Sequence, residues 1–363
     1  MTKDFSVFRP SKALGGRDQR QPTPLETLGW QPFFSRQVSA DELSETPPVR
    51  IVEVHRGAMH VVGDGIDRAI VPIDGVAIGD WIMLNPQRPG ASRILARKSL
   101  IKRRAPGTDR HVQLIAANID TIFIVSSCNQ DFNVARLERY IAIAFEADIA
   151  PVILLTKSDL AQGVEEYLAK AQAISDLVPV IALDARGDEP GTKLGPWCKP
   201  GQTVAFLGSS GVGKSTLTNA LAGSDAIATQ PIREDDAKGR HTTTRRQLHL
   251  IPGGCVVLDT PGMRELQLTD AASGIDSVFA DLHELASQCR FKDCRHEAEP
   301  GCAILDAIEH GAIDEARLNR WRKLKAEEAF NNASLAERRS RDKEFGKIVR
   351  RIKQAKFDEG GAS

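Results

Sequence analysis

The sequence predicts a multidomain protein: a small β-barrel near the N-terminus, a central α/β domain with a parallel sheet, and a small helical unit near the C-terminus. Short apolar runs separated by Gly and Asp turns fill residues 49–84, and several short strands at this spacing are typical of a barrel. From residue 119 onward, continuous apolar runs alternate with segments of helical period, which is typical of a parallel sheet covered by helices. Three cysteines and one histidine then fall between residues 289 and 302.

Residues 1–47 precede the barrel and are rich in Pro, Gly, Gln and charge without a sustained period. This composition is typical of a flexible tail, within which Trp30, Phe33 and Phe34 could dock locally. The barrel itself is assigned to residues 48–100. Its strand pattern alone fits either an OB-fold or an SH3-like barrel.

The central α/β domain is assigned to residues 101–275. Its strands are predicted at the apolar runs 119–126, 151–155 and 178–183, and its helices at 134–147 and 164–177. With an apolar fraction of 41%, the chain can bury cores of this size. The polar residues within 136–140 are expected to form a solvated helix face.

A glycine-rich loop lies between the apolar run 203–207 and the helix-like stretch 216–221. Its residues, with the one that follows, are Gly208, Ser209, Ser210, Gly211, Val212, Gly213, Lys214, Ser215 and Thr216. In a phosphate loop of this pattern the glycines let backbone N–H groups point inward, Lys214 reaches the β- and γ-phosphates, and Ser215 holds Mg²⁺. The positive end of the following helix faces the same phosphates. A chance glycine turn is the alternative, and the strand before the loop and the helix after it argue against that.

Two further motifs also end apolar, strand-like runs. Thr156, Lys157 and Asp159 belong to a Thr-Lys-Ser-Asp sequence that reads guanine, because the carboxylate accepts from two N–H donors on the base edge while the lysine stem covers the base. Asp259 and Gly262 frame an Asp-Thr-Pro-Gly sequence, which places a carboxylate near Mg²⁺ and an N–H near the γ-phosphate. In ordinary GTPases the base-reading motif follows the other two. Here it precedes them, so the chain resembles a circularly permuted GTPase, a rearrangement that costs little when the original termini lie close together.

Residues 238–244 lie between the phosphate loop and the Asp-Thr-Pro-Gly motif, in the place of a mobile switch loop. Such a loop supplies a Thr hydroxyl to Mg²⁺ and closes over the γ-phosphate. We assign this hydroxyl to Thr243, with its two neighbouring threonines as alternatives. Met263 stands where Ras-like enzymes place a water-orienting Gln, so either hydrolysis is slow or a residue such as His241 supplies the polar group when a partner binds. The alternative for His241 is a solvated loop histidine.

The cysteine cluster is an independent signal. Its predicted ligands are Cys289, Cys294, His296 and Cys302. Three thiolates and one imidazole close a tetrahedral Zn²⁺ shell and leave no open position for catalysis, so we predict one structural zinc per chain. A disulfide pair is the alternative. The chain shows neither a secretory signal nor an apolar stretch long enough to span a membrane, and this favours a reducing cytoplasm and a metal.

Together these motifs resemble those of the ribosome small-subunit-dependent GTPase family, RsgA, over roughly residues 48–325. The permuted order, the Gly-Arg-His-Thr-Thr segment at 239–243 and the Cys-Arg-Phe-Lys-Asp-Cys-Arg-His sequence at 289–296 carry the resemblance. It implies an OB-fold barrel, a permuted GTPase domain and a zinc-binding domain at residues 276–330. It also implies that GTP or GDP is bound with Mg²⁺, and that the protein acts late in maturation of the small ribosomal subunit, which stimulates hydrolysis.

The sequence departs from this family in two places. Thr156 stands where the family usually has Asn. Residues 182–185 replace a Ser-rich motif that in the family touches guanine through backbone N–H groups. We assign the corresponding contact with guanine to Ala185.

Charge is balanced overall, with 48 Lys and Arg against 48 Asp and Glu, but it is segregated along the chain. Residues 316–358 hold 14 basic against 6 acidic side chains, and residues 93–110 are a second basic stretch. Such segregation favours contact with rRNA phosphates through the basic helical tail at 331–363 and through a face of the barrel. A charged helix that merely solvates itself is the alternative for the tail.

We therefore predict a cytoplasmic monomer, without membrane contact, that hydrolyses GTP with Lys214, Thr243 and His241. One alternative is a GTP-dependent RNA-binding assembly chaperone in which hydrolysis only resets binding. The other is a permuted GTPase with a different RNA or protein target.

Overall fold

The computed structural model describes residues 21–55, 57–104, 112–223, 247–251, 254–259, 268 and 270–333. Its strands are β1 (Pro48–Val54), β2 (Met59–Gly63), β3 (Ile66–Ile70), β4 (Trp81–Met83), β5 (Arg93–Ile94), β6 (Leu100–Arg104), β7 (Val112–Ala117), β8 (Thr121–Ser127), β9 (Ala150–Thr156), β10 (Val180–Ala182), β11 (Thr203–Leu207), β12 (Gln247–Leu250) and β13 (Val256–Asp259). Its helices are α1 (Pro24–Thr27), α2 (Pro32–Ser35), α3 (Ala40–Glu45), α4 (Val134–Glu146), α5 (Val164–Gln172), α6 (Glu189–Leu194), α7 (Lys214–Ala222), α8 (Ala272–Val278), α9 (Ala280–Ser287), α10 (Ala303–Glu309) and α11 (Glu315–Asn332). None of these helices has the length and apolar character needed to cross a membrane.

One mixed sheet runs through most of the described chain, in the order β10-β9-β8-β11-β13-β12-β1-β2-β3. The first five of these strands are parallel to one another, whereas β12 runs antiparallel to β13. Every residue of β8, β9 and β11 is buried, as expected of strands covered on both faces. The predicted parallel sheet is thus confirmed.

Strand β1 connects the barrel region to the rest of the sheet. It pairs antiparallel with β2 and β4, and it meets β12 where Glu53 lies opposite Gln247. β2 continues to β3, and β4 to β5. Buried apolar side chains such as Val49, Ile51 and Val61 form the core of this region. The expected short strands are therefore present, whereas their OB-fold topology stays a prediction.

Residues 24–45 differ from the expectation of a tail without regular structure, because they form α1, α2 and α3. Trp30 and Phe34 pack on the ring of Trp81, with ring centroids 4.9 and 5.9 Å away. The expected local docking is therefore found for these two residues, while Phe33 stays exposed. Burial of large aromatic surface outweighs the polar composition of the segment.

Arg50 of β1 joins three parts of the chain in a buried position. Its guanidinium donates to the carbonyl oxygens of Leu28 at 2.5 Å and Asn118 at 3.4 Å, and to the Thr203 hydroxyl at 2.8 Å. Burial lowers the pKa of Arg50 to about 10. One side chain of the barrel region thereby bonds directly to both the end of α1 and β11.

Glu138 and Arg139 of α4 pair with residues of α11, so the expectation of a solvated face at 136–140 is wrong. The Glu138 carboxylate is fully buried, and Arg320 of α11 donates to both of its oxygens at 3.0 and 2.9 Å. Arg317 lies 3.7 Å from the same carboxylate. Burial raises the pKa of Glu138, and the two guanidinium charges oppose that rise. Helix α11 therefore uses part of its basic charge to dock on α4 rather than on a partner.

Candidate nucleotide-binding site and metal cluster

The carboxyl ends of the parallel strands form one edge of the sheet, and the predicted nucleotide motifs lie along it. The phosphate loop, residues 208–215, joins β11 to α7, and Thr156 ends β9. Ala185 follows β10, and Asp259 ends β13, the strand next to β11. Open α/β sheets bind ligands at this edge, so the topology brings together motifs that are far apart in the sequence.

Glycines give the phosphate loop its shape. Gly208 has a φ of +156°, and a Cβ at this position would lie 2.2 Å from the carbonyl oxygen of Val125. Gly213 has a φ of +100°, a conformation that side chains rarely adopt. Three residues of the loop and of the first turn of α7 are exposed to solvent: Ser210, Gly211 and Ser215. An exposed glycine loop directly before a helix N-terminus is the arrangement that phosphate binding requires.

Lys214 is the first residue of α7, and its side chain turns back onto the loop. The ammonium group donates to the carbonyl oxygen of Gly208 at 2.8 Å and also to that of Ser209. Its charge is therefore held at the phosphate loop, where it can exchange neutral carbonyl oxygens for charged phosphate oxygens. Thr216 follows within the first turn of the same helix.

The guanine motif meets the phosphate loop through Thr156. This side chain is fully buried, and its hydroxyl donates to the carbonyl oxygen of Val212 at 2.7 Å. A threonine here thus fixes the end of β9 to the phosphate loop, which gives the departure from Asn a structural role. Lys157 follows with a φ of 58°, in the left-handed region, and Asp159 is exposed.

Ala185 lies at the same junction. A Cβ built on Gly213 would lie 3.7 Å from the Ala185 Cβ and 3.8 Å from the Thr156 side chain. The Asp184 carboxylate accepts from the backbone N–H of Arg186 at 2.9 Å, which closes the turn around this position. The structure therefore brings the loop after β10, the guanine motif and the phosphate loop together.

His241, Thr243 and Gly262 lie outside the described residues, as does Met263. Asp259 is described through its backbone, as the last residue of β13. The roles assigned to these residues stay predictions.

Arg136 of α4 also reaches the phosphate loop, although no motif in the sequence predicts it as part of the site. Its guanidinium donates to the Ser209 hydroxyl and to the Asp131 carboxylate, the latter at 3.0 Å. It also donates to the Asp131 carbonyl oxygen. No local sequence signal points to the contact with the loop, because Ser209 is 73 residues away.

The four predicted metal ligands converge between α9 and α10, with all ligand atoms within 4.8 Å of one another: Cys289, Cys294, His296 and Cys302. The Cys289 and Cys302 sulfurs are 3.9 Å apart, and His296 Nδ1 lies 3.6 and 3.4 Å from them. A tetrahedral Zn²⁺ with bonds of about 2.0 to 2.3 Å separates its ligand atoms by about 3.5 to 3.8 Å. The donor set and its spacing therefore fit zinc. All six cysteines are free, in contrast to the disulfide alternative.

Two polar side chains shape the loop that carries the cluster. The Glu299 carboxylate accepts from the backbone N–H groups of Arg295 and Glu297, both at 2.8 Å. Such backbone hydrogen bonds lower the pKa of Glu299 to about 2. Arg322 of α11 donates to the carbonyl oxygen of His296. The protein itself thus holds the ligand loop in place.

The fold and this sheet edge define the class of protein: a P-loop nucleotide-binding protein in which the base-reading motif precedes the phosphate loop, with a Cys₃His cluster beyond it. The sequence model of the RsgA GTPase family matches residues 94–269. The chain is 47% identical to small ribosomal subunit biogenesis GTPase RsgA 2 of Vibrio parahaemolyticus, over 91% of this chain and 92% of that one. It is 49% identical to small ribosomal subunit biogenesis GTPase RsgA of Mesorhizobium japonicum, over 85% and 90% of the two chains. The chain belongs to the RsgA family of GTPases.

Two solved structures share the fold. YjeQ from Thermotoga maritima is 24% identical and superposes with a TM-score of 0.53, over 76% of this chain and 96% of that one. YloQ, described as a circularly permuted GTPase, is 20% identical and superposes with a TM-score of 0.54, over 82% and 99% of the two chains. The predicted permuted GTPase fold is therefore confirmed.

Proposed function

We propose that this GTPase acts in biogenesis of the small ribosomal subunit, late in its maturation, and that the subunit stimulates hydrolysis. The observation that carries the proposal is the phosphate loop held against the guanine motif by the 2.7 Å bond from Thr156 to Val212. It occurs in a chain that covers 92% of a relative named as a small ribosomal subunit biogenesis GTPase. The nucleotide motifs at this sheet edge support GTP hydrolysis. The match over nearly the whole relative supports a role in biogenesis of the small ribosomal subunit.

We assign the phosphates of GTP to Lys214 and to the backbone N–H groups of residues 210–216. Lys157 would cover the base while the Asp159 carboxylate accepts from the guanine edge. The exposure of Asp159 leaves that carboxylate accessible to a nucleotide. Ala185 is proposed to line the same base from the loop after β10.

The magnesium ion that accompanies GTP in this class of enzyme would be held by Ser215, Thr243 and, through water, Asp259. When bound, Mg²⁺ neutralises charge on the β- and γ-phosphates. Hydroxyl and carboxylate oxygens are the ligands that this ion prefers. The exposed position of Ser215 in the first turn of α7 supports its part in this assignment.

The attacking water needs a polar group to orient it, and the thioether of Met263 cannot serve. We assign this role to His241, acting when the subunit is bound. In an assembly chaperone, by contrast, hydrolysis would only reset binding, and Met263 is the residue that favours this second function.

We propose that rRNA is contacted through the barrel face and the basic C-terminal tail. A protein with this role works in the cytoplasm, and we expect a monomer. In the part of α11 that docks on the rest of the protein, Arg320 pairs with Glu138 and Arg317 pairs with Asp281 of α9. The rRNA contacts of this region are therefore assigned to residues after α11.

The test is GTP hydrolysis by the purified protein, alone and with small or large ribosomal subunits at one fixed salt concentration, because salt changes RNA affinity steeply. We expect the small subunit alone to raise the rate, by about 100-fold or more, a size typical of one added transition-state contact. His241→Ala should bind GTP normally and lose the stimulation. Equal rates with the two subunits would reject the proposed partner. Equal stimulated rates in His241→Ala and the parent would reject the role of His241.

We further propose that the Cys₃His cluster binds one structural zinc. The purified chain should contain about one zinc per molecule, and Cys302→Ser should lose it because one thiolate is removed. The Trp321 ring lies 5.6 Å from the His296 ring, so chelation should change tryptophan fluorescence. Trp321→Phe should lack most of that change.

Cys198→Ser is the matched control for the zinc experiment, since Cys198 lies outside the cluster. It should keep the parent's zinc content. Full zinc content in Cys302→Ser, or equal loss in both variants, would contradict the assignment.

A further inference from the structure

A cation from outside the recognised nucleotide motifs contacts the phosphate loop. The Arg136 guanidinium donates to the Ser209 hydroxyl, the second residue of the loop, and to the Asp131 carboxylate. The Arg136 side chain is 32% exposed, so the guanidinium is partly withdrawn from water. Bonds of this kind, with an ionised donor, are stronger than neutral ones.

The chain before α4 holds Arg136 in this orientation. Asn133 caps α4 by accepting from the backbone N–H of Arg136 at 3.0 Å. Asn129 accepts from the Asp131 N–H at 2.9 Å and from the Ser127 hydroxyl at 2.8 Å. Because Ser127 ends β8, the guanidinium is tied through short contacts to the strand next to β11.

Lys214 and Arg136 hold the same turn of the loop by different atoms. Lys214 donates to the carbonyl oxygens of Gly208 and Ser209, whereas Arg136 takes the Ser209 hydroxyl. Phosphate binding draws Lys214 away from those carbonyl oxygens. Arg136 can keep its hold on the loop during that exchange, because its partner is a side chain.

We propose that Arg136 is a positioning residue for the phosphate loop, which anchors the Ser209 hydroxyl to the start of α4 and so keeps the loop in its phosphate-binding shape. The inference rests on the proposed GTP site. Since the loop cradles the α- and β-phosphates, the anchor serves GDP and GTP alike. Preorganisation of this kind raises affinity by lowering the cost of ordering the loop on binding.

The test measures dissociation constants for fluorescent GDP and GTP analogues in the full-length parent, Arg136→Ala, Ser209→Ala and the double variant. Arg136→Ala should weaken both nucleotides about tenfold, the size of one lost charge-assisted bond. Ser209→Ala should do nearly the same while deleting a single hydroxyl. The double variant should be no weaker than Arg136→Ala, because both changes remove one contact. Arg136→Lys should have nucleotide affinities between those of the parent and Arg136→Ala, since an ammonium keeps the charge but cannot reproduce the planar guanidinium.

Arg139→Ala is the matched control. Arg139 lies on the same helix and pairs with Glu327 of α11, away from the loop. The Arg139→Ala variant should keep both nucleotide affinities at the parent value. This result would distinguish the loss of a contact with the loop from a general loss of α4 packing. Unchanged affinity in Arg136→Ala, or additive losses in the double variant, would overturn the proposal. A loss confined to GTP would also overturn it, because the guanidinium would then touch the γ-phosphate. Failure of the parent to bind either nucleotide would count against the GTP site itself.

Discussion

Lys214→Ala is expected to lower kcat/KM for GTP by a factor on the order of 100 or more. The ammonium group lies at the phosphate loop, bonded to the Gly208 carbonyl oxygen at 2.8 Å. In the phosphate-loop mechanism it moves to the β- and γ-phosphates and remains there as negative charge develops in the transition state. Removing it takes away the strongest cation that the loop itself supplies. Steady-state hydrolysis measures the loss of transition-state stabilisation, and nucleotide titration measures separately any loss of GTP binding.

Lys170→Ala is the control for the Lys214 prediction. Lys170 forms an exposed ion pair with Glu166 on α5, and pairs of this kind contribute little to stability. It should match the parent in both assays. A Lys214→Ala protein with parental kcat/KM would show that the loop does not hold the reacting phosphates.

The phosphate loop and the metal cluster could be predicted from sequence because each is local. The loop residues from Gly208 to Ser215 lie consecutively between one strand and one helix. The four metal ligands fall within one short segment, and their convergence needs only a loop of the right length. Chemistry that resides in a short segment leaves a pattern in that segment.

Contacts between distant segments leave no such pattern, so the sequence predicted them wrongly or not at all. Glu138 appears polar on a helix and was expected in solvent, yet two arginines of α11 bury it. Arg136 has its partner Ser209 in the phosphate loop. An amphipathic period identifies the apolar face of a helix, but it cannot show which distant helix covers the polar one.

The second half of the N-terminal segment shows the same limit. Its composition predicted a flexible tail, but Trp30 and Phe34 bury their rings on Trp81. Arg50 then ties the end of α1 to β11 through Leu28 and Thr203. Composition averages over a segment, whereas a few aromatic rings with a matching surface decide whether it orders.

Helix α4 contacts the phosphate loop directly and contacts the metal-ligand loop only indirectly, through α11, whose Arg322 donates to the His296 carbonyl oxygen. Its N-terminal end reaches the phosphate loop through Arg136, and its buried face meets α11 through Glu138. Helix α8 packs on the same helix at Gly274, whose N–H donates to the Glu146 carboxylate at 3.0 Å. A change at this closest approach should therefore disturb the contact between the α/β core and the C-terminal helices.

Gly274→Ala is expected to lower stability by about 3 kcal/mol, a large overpacking cost. A Cβ on Gly274 would lie 2.0 Å from the carbonyl oxygen of Ala142 on α4. The clash involves backbone, so no rotamer change relieves it, and α8 must move away from α4. The loss should exceed the gain of about 1 kcal/mol that alanine brings to a helix interior. Thermal unfolding should show a midpoint lower by roughly 5 to 10 °C.

Gly191→Ala provides a control of opposite sign. Gly191 lies within α6 and is exposed, and a Cβ added to it would meet no other atom within 4 Å. Alanine there should raise stability by about 0.5 to 1 kcal/mol, because it restricts the unfolded chain without a clash. If Gly274→Ala were as stable as Gly191→Ala, then the backbone of α8 at Gly274 would not lie against the Ala142 carbonyl oxygen of α4. A loss at Gly274 alone would establish that close backbone contact with α4 holds the C-terminal helices to the α/β core.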